Sequence, residues 1–486
     1  MINILVLKKR KDGKKRNTKK VVILQKVQNM TIEQARIAEL EAKILLLMNR
    51  VAELEAKNAL LEKELSYYRT KKDSKNSSVP PSHDPYRVKR TESLRESSSR
   101  KPGGQPGHEG YCLNTTLEPT EIVVHQPNYC QCCGKDLSAV TSDFVGKRQE
   151  IDIPPITPIV TEHQVYSKQC CCGHITRGNY PSHVHSSVCY GKNIQALTAY
   201  FHARQYLPYE RMQEMYSDIF GLSISTGSLV NIVQSFADKC STIYEHIRQQ
   251  IGRSAVVGGD ETGVCIKGKN AWGWVFQTES ATYIHCNTSR GAAAINEAFP
   301  QGFPRAILIH DCWKPYFNVT ASGHQICTSH LFRDLKYLHK LYPQQHWSED
   351  LASLLHQALI LKKKLKPDDY CQPIPERADF EEQLTALLKQ SIDPKYEKLI
   401  TFQERITRYR NHLFTFLYHR KVPPDNNASE RAIRTFKVKQ KVSGLFRSAA
   451  GAEAFAIIRS VIDTTIKNSQ NVTNALTMIP LMKKAE

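Results

Sequence analysis

Ala255-Val256-Val257-Gly258-Gly259-Asp260 and Ala306-Ile307-Leu308-Ile309-His310-Asp311 are two short apolar runs, each closed by an aspartate. Short apolar runs bounded by turn residues read as strands. The first extends over 255–266, and Trp272-Gly273-Trp274-Val275-Phe276 and Thr282-Tyr283-Ile284-His285-Cys286 follow it as further strands. Gly291 to Phe299 is helical in pattern and leads into the second run. Gln325-Ile326-Cys327-Thr328 reads as a fifth strand, followed by helical periodicity from His330 to Leu341. The expected order is β-β-β-α-β-α-β-α, with acids ending the first and fourth strands.

A third acid, Glu430, lies at the start of a helical pattern in Asp425-Asn426-Asn427-Ala428-Ser429-Glu430-Arg431-Ala432-Ile433-Arg434. Two strand-end carboxylates and one on a facing helix can converge on two Mg²⁺ ions, or Mn²⁺, roughly 3.5–4 Å apart, for in-line displacement at phosphorus. Hard oxygen ligands suit Mg²⁺. Each acid also has a plainer reading. An Asp after a strand is an ordinary turn residue. Asn427-x-x-Glu430 has the form of a capping box, and Glu430 has Arg434 one turn on as an ion-pair partner. The order of elements around the acids favours the metal reading, because it is that of a ribonuclease-H-like domain.

Several dispersed phrases sharpen this. Asp260-Glu261-Thr262, the Asp311–Tyr316 segment and Asp425–Arg434 occur in one order. They are joined by Ser77-Ser78-Val79-Pro80-Pro81-Ser82, by the Lys101–His108 segment, by Ser443-Gly444-Leu445-Phe446-Arg447 and by Gly451-Ala452-Glu453-Ala454. On these motifs the chain resembles the insertion-sequence-66 family of transposases, a branch of the DD-E transposases, from about Ala35 to its C-terminus. The resemblance implies a catalytic triad of Asp260, Asp311 and Glu430, a zinc-binding region, and small accessory proteins as partners. Glu261 is left out of the triad, because adjacent strand residues point to opposite faces.

Composition agrees with a nucleic-acid partner. The chain has 486 residues, enough for two or three domains, and a net charge of +20, which favours phosphate backbones. Basic proteins also bind acidic membranes or proteins. No run of some twenty apolar residues is present, so no membrane span is expected. The brief apolar start, Met1 to Leu7, precedes its lysines, the reverse of a signal peptide. The expected location is the bacterial cytoplasm, on the chromosome.

Fourteen cysteines in a chain of this size point to metal rather than disulfides. Cys130-Gln131-Cys132-Cys133-Gly134 contains a C-x₂-C knuckle, and Cys170-Cys171-Cys172-Gly173 offers a second pair. Four thiolates suit a closed structural Zn²⁺ site. A C-x₂-C-G form in the second cluster would start at Gln169, so its first ligand is Cys170 or Cys171. The favoured set is Cys130, Cys133, Cys170 and Cys172, with His174, His183 and His185 as substitutes. A degenerate, metal-free knuckle is the alternative.

Upstream, Ile37, Leu40, Ile44, Leu47, Val51, Leu54, Leu61 and Leu65 recur three and four apart, with Asn58 at the one missing seam position. This is a coiled-coil heptad in which a single seam Asn favours two strands. A helix from Thr31 to Tyr68 would be about 57 Å long. Packing of this helix on its own chain is the alternative to a homodimer or higher oligomer. Residues 1–29 are a lysine-rich arm, or upstream sequence read from a misassigned start with Met30 the real one. Between Lys71 and Gly110, Ser, Pro, Gly and basic residues read as a disordered linker, in which the Arg100–His108 segment is a minor-groove candidate. Tyr209 to Phe220, a break at Gly221-Leu222-Ser223, and a helix from Ser225 to about Ala237 fit a helix-turn-helix. The second helix has few cations, so ordinary helical packing competes.

The expected architecture is therefore multidomain α/β, in eight segments. They are a basic arm (1–29), a coiled-coil helix (30–70), a linker (71–111), a zinc-binding DNA-contact module (112–188) and a helical segment (189–250). A ribonuclease-H-like catalytic core (251–342 and 421–447) follows, with a helical insertion (343–420) and a helical tail (448–486). His330, Arg333 and Arg431 are candidate phosphate contacts, or ion-pair partners of the acids. Lys437, Lys439, Lys441 and Arg447 are a candidate DNA-tracking face, or a solvated one. The expected function is metal-dependent cleavage and strand transfer at the terminal inverted repeats of an insertion sequence, into target DNA. A transposase-derived, zinc-dependent DNA-binding regulator without catalysis is the main alternative, and a coiled-coil scaffold a second.

Overall fold

The computed structural model describes residues 16–70, Gly107 and 118–482, without the side chains of 16–32 and 63–70. The beginning of the basic arm and, apart from Gly107, the linker with its groove candidate at 100–108 lie outside the described residues. The chain divides into two compact units, 1–98 and 99–486.

In the first unit one helix, α1 (Arg16–Thr70), runs for 55 residues. It begins well before Thr31, because no Gly or Pro interrupts 16–30. Its seam is bare: Ile37, Leu40, Ile44, Leu47, Val51, Leu54 and Leu61 are all about half exposed, between 49% and 61%.

The second unit opens with an irregular module whose regular structure is a hairpin of β1 (Ser167–Gln169) and β2 (Ile175–Arg177). Helices α2 (Lys192–Ala203), α3 (Tyr209–Phe220) and α4 (Thr226–Gly252) follow. Gly221 ends α3 at φ 64°, and the Ser225 hydroxyl caps α4 by accepting from the Ser228 N–H. The second helix of the expected helix-turn-helix does not stop near Ala237. Leu229, Val233, Phe236, Cys240, Ile247 and Ile251 keep one stripe buried to its end, so α4 is a long core helix.

Five strands then form one sheet in the order β5-β4-β3-β6-β7. They are β3 (Val256–Ile266), β4 (Lys269–Gln277), β5 (Thr282–Asn287), β6 (Phe303–His310) and β7 (Ala321–Ile326). Strands β3, β4 and β5 are antiparallel neighbours, while β6 runs parallel to β3 and β7 parallel to β6. Lys267 and Gly268 join β3 to β4 at φ 51° and 75°, the two positive values of a tight hairpin turn. Helices α5 (Ala292–Ala298), α6 (Lys314–Phe317) and α7 (Thr328–Leu341) occupy the remaining connections. The fifth strand begins earlier than its apolar residues suggest, and Cys327 already caps α7.

The segment between α7 and the last helices holds α8 (Trp347–Lys364), α9 (Pro375–Lys389), α10 (Glu397–Arg408) and α11 (Thr415–Tyr418). It has its own core, which Ile307, Ile309 and Ile326 of the sheet join. The chain ends in α12 (Asn427–Ser443), α13 (Ala449–Lys467) and α14 (Val472–Met478). The larger core lies among the sheet, α2, α4, α12 and α13.

Candidate active site

Alternation along the strands decides which acids face one another. The parallel register pairs Val257 with Leu308 and Gly258 with Ile309. Two residues further on each strand, Asp260 and Asp311 therefore share one face. The strand expected over 255–266 is β3, so Asp260, the acid that closes the apolar run, lies within it and does not end it: β3 continues to Ile266, paired with β4. What ends beside Asp260 is the pairing with β6. Asp260 thus sits where two parallel strands part, with Asp311 on the first residue past β6.

Glu430 reaches the same face because α12 crosses β3 and β4 closely. Gly258 and Gly273 make room for it. A Cβ at Gly258 would lie 2.5 Å from Ser429 Oγ, and one at Gly273 would lie 2.6 Å from the Phe436 ring. The Asn426 amide donates to the Gly259 carbonyl, and its backbone N–H donates to Cys327 Sγ. The capping box does not form. Asn426, not Asn427, is the N-cap, with no side-chain capping bond. Glu430 accepts instead from Arg333 at 2.9 Å, with His330 Nδ1 at 3.6 Å and Arg434 at 3.5 Å.

The electrostatics report the crowding. Burial pushes the Asp260 carboxyl up to about 7, and the charges of Glu261, Asp311 and Glu430 add to the rise. Asp311 is also raised, chiefly by burial, against the opposing N–H of Trp313 and the charges of His330, Arg290 and Arg405. Gathered, half-buried carboxylates with raised proton affinity are a donor set that a divalent cation relieves.

Glu261 projects to the opposite face. Its side chain is 3% exposed, accepts from the Tyr316 hydroxyl at 2.6 Å and pairs with Arg290 at 3.1 Å. Arg290 was not singled out in the sequence. Its guanidinium stacks between Trp272 and Trp313, 4.6 and 4.4 Å from the ring centroids. No local pattern announces it, since its partners come from three separate segments. Asn426 was also missed as an anchor.

The remaining candidates divide. His330 and Arg333 are at the site, facing Glu430. Arg431 is exposed, and its charge is felt by Lys467; no ion pair with the acids is found for it among the described residues. The expected basic face needs one correction. Lys439 is 5% exposed, and burial lowers its ammonium to about 8, so it cannot track DNA. It falls on the inner side of α12, in line with Phe436. Lys437, Lys441 and Arg447 are exposed.

In the cysteine module, two turns have the knuckle form. The Gly134 N–H donates to the Cys130 carbonyl and the Gly173 N–H to the Cys170 carbonyl, both at 2.9 Å. Both glycines take positive φ, 71° and 87°, as a turn of this kind requires. The N–H of Cys133, then that of Cys132 and the Cys133 thiol, hold the Cys130 thiol below its usual value. Cys172, through its N–H and thiol, does the same for Cys170, with Cys171 adding to it. Thiols favoured as thiolates suit Zn²⁺. The two pairs are nevertheless not gathered into one four-sulfur cluster. Among the described residues, the one group of three potential ligands with mutually close donor atoms is Cys327, His330 and Glu430.

Comparison with protein families bears on all of this. The model of the Transposase IS66 family matches residues 187–454, more than half of the chain. The chain belongs to the IS66 transposase family. The zinc-finger binding domain of transposase IS66 matches residues 127–173, a span that takes in both knuckles. A family of unknown function matches residues 26–114. None of the curated proteins matches.

The IS66 match runs through the whole sheet, the helical insertion and α12, so Asp260, Asp311 and Glu430 lie within it. Family membership makes DNA the natural partner and zinc a structural ion of the cysteine module. Among the described residues no helix is long and apolar enough to cross a membrane.

Proposed function

We propose that the chain is an active DD-E transposase that cleaves DNA at the ends of an insertion sequence and joins those ends to target DNA. The observation that carries this is the shared face of Asp260, Asp311 and Glu430, brought together from β3, the end of β6 and the first turn of α12. A five-stranded sheet with three antiparallel and two parallel strands, and a helical insertion before the last acid, supports a ribonuclease-H-like reading of the core.

In this reading Asp260, Asp311 and Glu430 would hold two Mg²⁺ or Mn²⁺ ions. Such ions, when bound, activate the attacking oxygen and stabilise the leaving one. The chain's own residues do the rest. Burial favours a proton on Asp260 in the metal-free fold, and cation binding would displace it. Arg333 balances the charge of Glu430, and Arg333 and His330 stand ready for a phosphate oxygen. Water first opens a phosphodiester at the element end, leaving a 3′-hydroxyl. That hydroxyl then forms a new bond to a target phosphorus as the target's own P–O3′ bond breaks, and the departing oxygen takes a proton. The exposed seam of α1 supports a homodimer, which would pair two element ends in the bacterial cytoplasm.

The test is strand transfer in Mg²⁺ with DNA from the ends flanking the gene, wild type against Glu430→Gln. Joined product from wild type alone supports the reading. Bound ends without product from either protein would favour a DNA-binding regulator instead.

A further inference from the structure

Cys327 and His330 stand one helical turn apart at the start of α7, and Glu430 faces them from the first turn of α12. A thiol sulfur, a ring nitrogen and a carboxylate oxygen from these three residues all lie within 4.8 Å of one another. Cys327 is fully buried, while the side chains of His330 and Glu430 are 33% and 17% exposed, which leaves a way in from solvent. The Nδ1 atom of His330 is itself buried and has no hydrogen-bond partner. Cys327 Sγ accepts from the Asn426 N–H at 3.1 Å and from the backbone of Ser329 and His330. Sulfur and nitrogen are poor ligands for Mg²⁺, which takes oxygen. Together with one carboxylate they are a Zn²⁺ or Co²⁺ set, and three ligands leave a coordination position open.

We propose that Cys327, His330 and Glu430 form a second metal site, specific for a thiophilic divalent cation of the Zn²⁺ class, which shares Glu430 with the acid triad. Occupancy draws the Glu430 carboxylate toward α7 and away from Asp260 and Asp311, so the ion acts as an inhibitor. The sharing rests on the catalytic reading of Glu430, whereas the binding does not. In the metal-free chain Arg333 holds the same carboxylate. Its side chain is 55% exposed, so it swings out to solvent as the cation arrives.

The experiment uses the full chain, purified with zinc in its cysteine module and titrated with Co²⁺. Sulfur-to-cobalt charge-transfer absorption is the readout. Wild type gains the band on addition of Co²⁺, Cys327→Ser lacks it, and His330→Asn needs more than about tenfold more metal to show it. A band of equal strength in wild type and Cys327→Ser would assign the cobalt to the knuckles and overturn the site. In parallel, Zn²⁺ is added to Mg²⁺-driven strand transfer, each protein being compared with its own zinc-free rate. The half-inhibitory concentration rises more than about tenfold in Cys327→Ser. Equal inhibition of both proteins, with the cobalt band still dependent on Cys327, overturns the sharing. Undiminished strand transfer by Glu430→Gln would instead remove the catalytic reading of that residue, and the cobalt result would stand unaffected.

Discussion

The side-chain amide of Asn426 donates to the backbone carbonyl of Gly259 at 2.6 Å, tying the start of α12 to the strand residue just before Asp260. The other end of the same side chain accepts from the Ser429 hydroxyl at 2.6 Å. Glu430 is the next residue, so its position depends on how closely α12 lies on β3. A methyl group at Gly258 would stand 2.5 Å from Ser429 Oγ and 2.7 Å from Asn426 Oδ1. Gly258→Ala is therefore expected to cost about 1–3 kcal/mol of stability and to lower strand transfer by about 100-fold. DNA-end binding should change little. Denaturant melts, gel-shift titration and product yield separate the three effects; full activity would mean that α12 tolerates the shift.

Asp260 makes a prediction of unusual sign. Its carboxyl holds a proton up to about 7 in the fold, against 3.8 ordinarily. The folded state thus favours the proton, and this contribution to stability, complete below about pH 4, is lost as the pH rises through about 7. Asp260→Asn should match wild type near pH 4 and exceed it at pH 8 without metal, by roughly 1–3 kcal/mol. Mg²⁺ should stabilise wild type and leave the variant unchanged. Urea melts at the two pH values check this, and a less stable variant at pH 8 would contradict it.

Lys439 is buried, and burial lowers its ammonium from 10.5 to about 8. Below about pH 8 the fold carries a buried charge at a cost. That cost disappears as the pH rises toward 10.5, because the unfolded chain then holds a proton that the fold has shed. Lys439→Met should raise stability by roughly 1–3 kcal/mol at pH 7 and by much less at pH 10. Equal gains at both values would point to packing rather than charge.

The two knuckles make a ligand-by-ligand prediction. Replacing Cys130, Cys133, Cys170 or Cys172 by Ser should abolish bound zinc, whereas Cys132→Ser and Cys171→Ser should retain it. Zinc content of the purified proteins decides. Loss of zinc in Cys171→Ser with retention in Cys170→Ser would exchange those two roles.

The seam of α1 predicts association through apolar contact. Leu47→Glu combined with Leu54→Glu should shift the full chain to a smaller sedimenting species, while leaving the fold of the second unit unchanged by near-ultraviolet circular dichroism. An unaltered mass would assign self-association to another surface.

The strands were legible because they are short apolar runs between turn residues, and the insertion because its leucines recur at helical spacing. The extent of β3 was legible too, as a strand over 255–266; the place of Asp260 within it, rather than at its end, was not. The run before Asp260 stops being apolar at the acid, yet β3 continues, since Thr262, Gly263 and their neighbours are held by pairing with β4 rather than by hydrophobicity. Lys439 shows the converse failure. A lysine among exposed lysines reads as surface, and only the packing of α12 reveals that its position faces inward. Arg290 lies between tryptophans from β4 and from the segment after β6, a relationship invisible along the chain. Cys327 and His330 did not read as a pair, because Cys327 falls in the expected fifth strand, whereas it stands at the start of α7 one turn before His330. The pair's importance emerged only when α12 brought Glu430 alongside.

The insertion separating Asp311 from Glu430 has a hydrophobic core of its own. Contacts between residues far apart in sequence form late, after the intervening chain has collapsed. During synthesis the sheet and its two aspartates leave the ribosome first, then the insertion, and α12 nearly last. If the three acids form the proposed triad, a nascent or truncated polypeptide ending before Asn426 would carry only two of them. In the proposed reading the long detour would act as a timer, since the triad is complete only once the insertion and the start of α12 have been made.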